Sequence, residues 1–381
     1  MKSNYEPLGK HIRLVDYRNS EEVTSTVLGI SIDKEFMPSV ANVIGTDLSR
    51  YKLISKGLFA CNPMHVGRDE RLPIALYEKD NAAIVSPAYF MFEIIDRDVL
   101  NEEYLMMWFR RPEFERECWF MTDGSVRGGI TWDDLCRIKI PVPSYVRQCE
   151  IVESYRAITN RIALKRAEND NLAETLNILF NNLYQNIDEK STLPFSELCS
   201  LASSKRVFVD DYVSEGVPFY RGKEITQKRN GKPINDPLYI SVKHYDTLKK
   251  NYGVPSSGDI LITAVGTIGN SYLVQDEEFY FKDGNIIWLK AFRNSGLNYY
   301  LYDYMQTSTF KRELEGICIG STQTALTIVA LSNLKVKVPE KSALNAYCDN
   351  SRVIRTAIQA NNAEIFHLTM VAQSILASLS H

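Results

Sequence analysis

The sequence predicts an α+β protein: two mixed α/β domains separated by two long antiparallel helices that form an intramolecular coiled coil, with a pseudo-two-fold internal repeat. Three observations carry the prediction. They are a self-match at one constant offset, two matching heptad seams, and short strand-like runs ahead of each seam. The length of 381 residues leaves room for two or three domains, each with its own core. Hydrophobic content of 45% and charged content of 24% exclude a disordered chain, a collagen and a small disulfide scaffold. The 44 Lys and Arg against 47 Asp and Glu give a net charge of −3. That balance excludes a protein that is basic all over, but not a local basic patch.

The repeat emerges when the chain is slid against itself by 196 residues. Tyr104-Leu105 falls on Tyr300-Leu301, and Phe114, Arg116 and Glu117 fall on Phe310, Arg312 and Glu313. Gly124-Ser125 meets Gly320-Ser321, and Val142-Pro143 meets Val338-Pro339. Arg156, Ile158 and Ile162 then meet Arg352, Ile354 and Ile358, and Leu172 meets Leu368. The first hundred residues of each half, 1–100 and 191–295, do not align convincingly. A common frame therefore carries two different inserts.

The seams follow the last prolines. Ile151, Tyr155, Ile158, Ile162, Lys165, Asn169, Leu172, Leu176, Leu179 and Leu183 alternate steps of four and three, as a coiled coil requires. The second copy is Tyr347, Ser351, Ile354, Ile358, Asn361, Ile365, Leu368, Ala372, Ile375 and Leu379. No proline occurs from 144 to 193 or from 340 to the end, so each run is read as one helix of roughly 60 Å. Polar Lys165, Asn169 and Asn361 within the seams are expected to fix register at some cost in stability. The resulting boundaries are 1–142, 143–190, 191–338 and 339–381.

Strands are expected at Ala82–Val85, Tyr89–Ile95, Asp259–Thr263 and Asn285–Leu289. Each domain then has a short helix (Glu103–Phe109, Tyr299–Met305), a polar loop, and a strand ending in Pro143 or Pro339. The alternation Leu135-x-x-Ile138-x-Ile140, repeated at Leu331-x-x-Leu334-x-Val336, reads as that strand. Val265-Gly266-Thr267-Ile268-Gly269 reads as a turn closing a hairpin.

Basic residues gather in the loops. Ten Lys and Arg stand against six acids between Lys205 and Lys250. Lys205, Arg221, Lys223, Lys228, Arg229 and Lys232 are the candidates there. Arg18, His65, Arg68, Arg71 and Arg127 are their counterparts in the first half. Thr322 and Gln323 lie in the loop that matches Ser125–Gly129. Such side chains meet phosphates and base edges. Catalytic signatures are missing: there is no P-loop, no His-Glu-x-x-His and no Gly-x-Ser-x-Gly. The seven cysteines form no Cys-x-x-Cys, which suits reduced thiols in the cytoplasm and no metal site. No secretory signal and no membrane helix are expected. The chain reads as a reader rather than a catalyst. A protein-binding scaffold, or an enzyme built on scattered acids, stays open on the residues alone.

The arrangement resembles the specificity (S) subunit of type I restriction–modification systems. Leu135-x-x-Ile138-x-Ile140-x-Val142-Pro143 with Arg147-Gln148 and Ile151 resembles the family's passage from first recognition domain to first spacer helix. Gly258-Asp259-Ile260-Leu261-Ile262 with Gly266-Thr267-Ile268-Gly269 resembles its recognition-domain core. Ser125-Val126-Arg127-Gly128 and Asn62–Arg68 resemble one subgroup. One departure is Leu344, which falls where the first copy has Gln148. The resemblance implies two target-recognition domains, each reading half of an asymmetric bipartite sequence in double-stranded DNA, with the helices as a ruler between them. It implies partners: two DNA methyltransferase (M) subunits that bind S-adenosylmethionine and modify adenine N6, and restriction (R) subunits that use ATP and Mg. No cofactor is implied on this chain. A specificity partner of a fused restriction–methylation enzyme would share these features.

Overall fold

The computed structural model describes residues 5–40, 45–64, 66–122, 128–232, 234, 236–318 and 324–379. The chain forms two compact units, Met1–Leu164 with Glu364–His381, and Lys165–Ala363. The long helices are Tyr145–Gln185 and Lys341–Ser378, and each contributes to both units. All twenty seam positions are buried or half-buried, including Ile158, Ile162, Leu172, Leu176, Leu179, Ile354, Ile358, Leu368 and Ile375.

In the first unit one sheet runs Ile12–Leu14, Phe90–Ile94, Phe59–Cys61, Ile74–Leu76, all antiparallel. A second sheet runs Phe36–Pro38, Val27–Ile30, Ala83–Val85, Lys52–Ile54, with Val27–Ile30 and Ala83–Val85 parallel. One apolar cluster, with Ile54, Ala60, Ala75 and Met91, links the two sheets. A larger one packs Phe59, Phe92 and Phe109 with Val152, Leu376 and Leu379 from the helices. Arg161 Nε donates to Glu364 Oε1 at 2.8 Å, and the earlier Val152 shares a core with the later Leu376 and Leu379, so numbering rises along one helix as it falls along the other. The helices are antiparallel within this unit.

The second unit repeats the plan. Its first sheet is Ser200–Ala202, Ile286–Lys290, Ile260–Thr263, Ser271–Leu273, again antiparallel. Its second is Tyr212–Val213, Leu238–Ile240, Val217–Tyr220, Tyr280–Phe281, with the last pair parallel. A parallel pair with one antiparallel neighbour is common to both units. The fourth strand is added on opposite edges: beyond Ala83–Val85 in the first unit, beyond Leu238–Ile240 in the second. The helices are antiparallel here too. Lys165 Nζ donates to Asn361 Oδ1 at 2.8 Å, Asn361 Nδ2 donates to Asn169 Oδ1 at 2.9 Å, and Phe180 packs on Tyr347. The polar seam residues thus satisfy one another, which sets register without leaving a buried amide unpaired.

Each unit is closed by a two-stranded ladder, Tyr5–Pro7 with Lys139–Pro141 and Thr192–Pro194 with Lys335–Lys337. The strand expected before each long helix is only this short. Leu135 and Leu331 instead lie in helices Trp132–Arg137 and Ile328–Asn333. Thr131 and Thr327 cap them, accepting from Asp134 N and Ala330 N. The stretch read as a polar loop after each short helix opens with a further helix, Pro112–Phe120 or Ser308–Ile317.

The Gln148-to-Leu344 difference has a local cause. Gln148 is fully buried; its Oε1 accepts from Asn101 N at 2.9 Å, and its Nε2 donates to Val99 O and Pro143 O. In the second unit Leu297 N, at the position of Asn101, donates to Asn294 O instead, and apolar Leu344 suffices. Gln148→Leu is therefore expected to orphan the Asn101 amide and destabilise the first unit by about 1–3 kcal/mol. Urea unfolding of the full chain checks this, with unchanged stability as the contrary result.

Candidate nucleic-acid interface

The same corner is built in both units at the far end of the central strand. Gly57 (φ +86°) and Gly258 (φ +89°) enter that strand in the left-handed region, where a side chain is strained. Gly57 N donates to Tyr77 O and Gly258 N to Val274 O, both at 2.9 Å. Asp259 makes the entry to the second unit's strand rigid: Oδ2 accepts from Ser256 N and from the buried Trp288 Nε1, each at 2.9 Å. Past the strand, the connection 62–73 leaves the first unit's sheet and 264–270 leaves the second's. Val265–Gly269 does close the hairpin between Ile260–Thr263 and Ser271–Leu273.

Onto each connection docks a segment that lies beyond helix Pro112–Phe120 or helix Ser308–Ile317. Ile130 N donates to Pro63 O at 3.1 Å, and Gly67 N to Gly128 O at 3.0 Å. Gly129 lies so close that a Cβ would sit 2.8 Å from Pro63 O. In the second unit Leu326 N donates to Ala264 O at 2.8 Å, and Val265 bridges to Ala325. The segments that follow residues 123–127 and 319–323, stretches of different sequence outside the described residues, are therefore anchored at equivalent corners.

In the second unit the helix Gly222–Arg229 packs on the same hairpin. Arg221 precedes it as the N-cap residue: its backbone N–H and its guanidinium both donate to buried Glu224. Burial pushes the Glu224 carboxyl up, but these hydrogen bonds outweigh it and hold the group below the usual carboxylate range. At the other end Arg229 donates to Asn270 Oδ1 and, at 2.8 Å, to Gln306 Oε1. Asn270 Nδ2 donates to Thr226 Oγ1 at 3.0 Å, and Gln306 Nε2 to Ser271 Oγ at 2.8 Å. This relay ties the helix to the hairpin.

In the first unit a buried cation does the equivalent work. Lys34 Nζ donates to Leu72 O and pairs with Glu115, each at 2.7 Å, while Glu115 Oε2 accepts from Leu72 N. The connection 62–73 is thereby fastened to helix Pro112–Phe120. Burial pushes the Lys34 ammonium below its ordinary range, against the pull of Glu115.

Residues 189–367 match the family model described as the type I restriction modification DNA specificity domain. These residues are similar to a type I specificity domain. A Haemophilus influenzae protein named as a type I restriction enzyme specificity subunit is 29% identical over 225 residues, 57% of this chain. The match spans about 55% of that relative's length. The crystal structure of a type I restriction–modification S subunit from M. genitalium shares the fold, with a TM-score of 0.60 at 13% identity, over 99% of this chain and 96% of that one.

Within residues 189–367 the predicted basic residues divide by role. Lys223 and Lys232 are exposed. Lys205 has its Nζ 5.3 Å from the Tyr252 ring centroid. Lys228 pairs with Glu277 at 3.1 Å and lies over Tyr272. Arg221 and Arg229 are held by internal partners and act in holding the helix. Asn270 and Gln306, which no sequence pattern singles out, complete the relay. In the first unit Arg18 donates to Arg50 O and pairs with Asp16, both at 2.7 Å, and Arg71 pairs with Asp33 at 3.3 Å. The Arg18 guanidinium holds the Asp16 carboxyl below its ordinary range. Arg68 belongs to the short helix Val66–Asp69, but its side chain, like His65, Arg127, Thr322 and Gln323, lies outside the described residues. Among the described residues no group of three His, Cys, Asp or Glu converges as a metal site, and no helix is long and apolar enough to cross a membrane.

Proposed function

We propose that this chain is the non-catalytic DNA-reading subunit of a type I restriction–modification complex, acting in the cytoplasm. Each unit reads one half of an asymmetric bipartite target in double-stranded DNA. Two methyltransferase subunits, carrying S-adenosylmethionine, and ATP- and Mg-dependent restriction subunits supply the chemistry. The observation that carries the reading is the recurrence of one corner in two units. In each, the segment after the polar stretch is tied to the corner by an equivalent backbone bond, Ile130 N to Pro63 O and Leu326 N to Ala264 O, while the stretches 123–127 and 319–323 differ in sequence. Base-specific contact needs such a pairing of fixed frame and exchangeable side chains. The match of residues 189–367 to a DNA specificity domain supports it.

The test is adenine-methylation mapping of DNA from cells expressing this chain with its methyltransferase partner, beside cells lacking this chain. The expected result is a bipartite motif, present only with the chain. Methylation unchanged by its removal would refute DNA reading and favour a protein-binding scaffold.

A further inference from the structure

We infer that Lys34 and Arg229 are a matched pair of positioning residues, each fixing from behind the element that carries one half-site's DNA contacts. The inference rests on the DNA-reading role proposed above. Strand Val27–Ile30 pairs parallel with Ala83–Val85 and antiparallel with Phe36–Pro38. Strand Val217–Tyr220 pairs parallel with Tyr280–Phe281 and antiparallel with Leu238–Ile240. The turn 31–35 and the connection 221–237 are therefore the same link in the two units, and one supplies Lys34, the other Arg229. Both cations reach the same point. The last rung of the hairpin that leaves the central strand is Asn62 N to Pro73 O at 2.8 Å in the first unit, and Thr263 N to Asn270 O at 3.0 Å in the second. Lys34 Nζ donates to Leu72 O, one residue outside that rung, and Arg229 donates to Asn270 Oδ1 on it. Each cation also takes a partner at the start of the equivalent helix. Glu115 lies in the first turn of Pro112–Phe120, and Gln306 lies two residues ahead of Ser308–Ile317.

The first of these placements is costly for stability alone. Lys34 is 5% exposed and has φ +65°, in the left-handed region where a side chain is strained. An apolar residue would fill the same space with no ion to desolvate. What a buried charged hydrogen bond adds is direction, and base-edge contacts need their supports placed to about 0.5 Å. The elements so fixed are the connection 62–73, which carries His65, Arg68 and Arg71, and the connection 264–270, onto which the segment after 319–323 docks. Neither cation is available to a base itself. The Lys34 ammonium is buried on Leu72 O and Glu115, and the Arg229 guanidinium is engaged by Asn270 and Gln306. Both therefore act through the residues they hold.

The test measures binding by the complex of the full chain with its methyltransferase partner, on duplexes carrying the mapped target with each base pair of both half-sites changed in turn. A wrong base pair ordinarily lowers affinity about tenfold to a hundredfold. In Lys34→Met with Glu115→Gln, which leaves no lone buried charge, these penalties should fall to about threefold across one half-site and keep their wild-type values in the other. Arg229→Gln should do the same in the opposite half-site, and neither variant should change the salt slope. Lys34→Arg keeps a charged donor beside Glu115 and covers the case in which the double variant does not fold. It should lower the penalties in that same half-site by less. Penalties unchanged in both half-sites, whether or not affinity falls, would overturn the inference and leave these cations a structural role only. So would a salt slope smaller by about one for Arg229→Gln, the mark of a phosphate contact. If the wild-type complex shows no sequence preference at all, the DNA-reading role itself fails, a result separable from the others.

Discussion

Replacing Asp303 by alanine is expected to destabilise the second unit by about 3–5 kcal/mol. Asp303 is 8% exposed and accepts from Arg355 and from Tyr347 Oη of the second long helix. Arg355 also lies between the rings of Tyr299 and Tyr302, with centroids 5.5 and 5.4 Å away. Removing the carboxylate leaves a buried guanidinium without its counter-charge, whereas removing both ions together leaves neither. The double variant Asp303→Met with Arg355→Thr should therefore recover most of the loss. The first unit supports this swap, since the residues 196 positions earlier are Met107 and Thr159, with Ile151 matching Tyr347. Met107 is fully buried there. Urea unfolding of the full chain across this cycle measures the coupling. Additive losses would show that the pair is not the unit of stability.

Changing both Lys223 and Lys232 to glutamate is expected to weaken DNA binding by the complex about a hundredfold. The slope of log affinity against log salt should fall by about two, because each phosphate contact contributes about 0.9. Arg229→Gln should behave differently. Its guanidinium is spent on Asn270 and Gln306, so its loss should loosen the helix on the hairpin and reduce affinity with the slope unchanged. Titration at several salt concentrations separates the cases. An unchanged slope for the double variant would remove these lysines from the interface.

The periodic parts of this fold were legible. The seams stand out because burial recurs every three or four residues over the full length of each helix. The strands at 83–85, 90–94, 260–263 and 286–290 stand out as short β-branched and aromatic runs. The likeness of the first hundred residues of each half was hidden by loops of unequal length. Strands Ile12–Leu14 and Ser200–Ala202 correspond at a separation of 188 residues, and Gly57 and Gly258 at 201, so no single offset aligns them. Leu135 was misread because Leu-x-x-Ile-x-Ile suits a helix end as well as a strand; the threonine cap before it was the available signal. At the candidate site, charge was visible but its use was not. Arg229 meets Asn270 and Gln306, 41 and 77 residues away, and nothing local announces those partners.

The last turns of the second long helix belong to the first unit, where Ile375, Leu376 and Leu379 enter the core with Phe59 and Phe92. On the ribosome this inverts the usual order. The unit whose sheets are synthesised first lacks part of its core until the final turns of that helix emerge. The second unit, whose residues are contiguous from 165 to 363, has every one of its parts sooner. Folding of the first domain is thus gated by translation through residue 379. A premature stop between codons 364 and 376 should cost the first unit its integrity while sparing the second, which lies nearer the lesion.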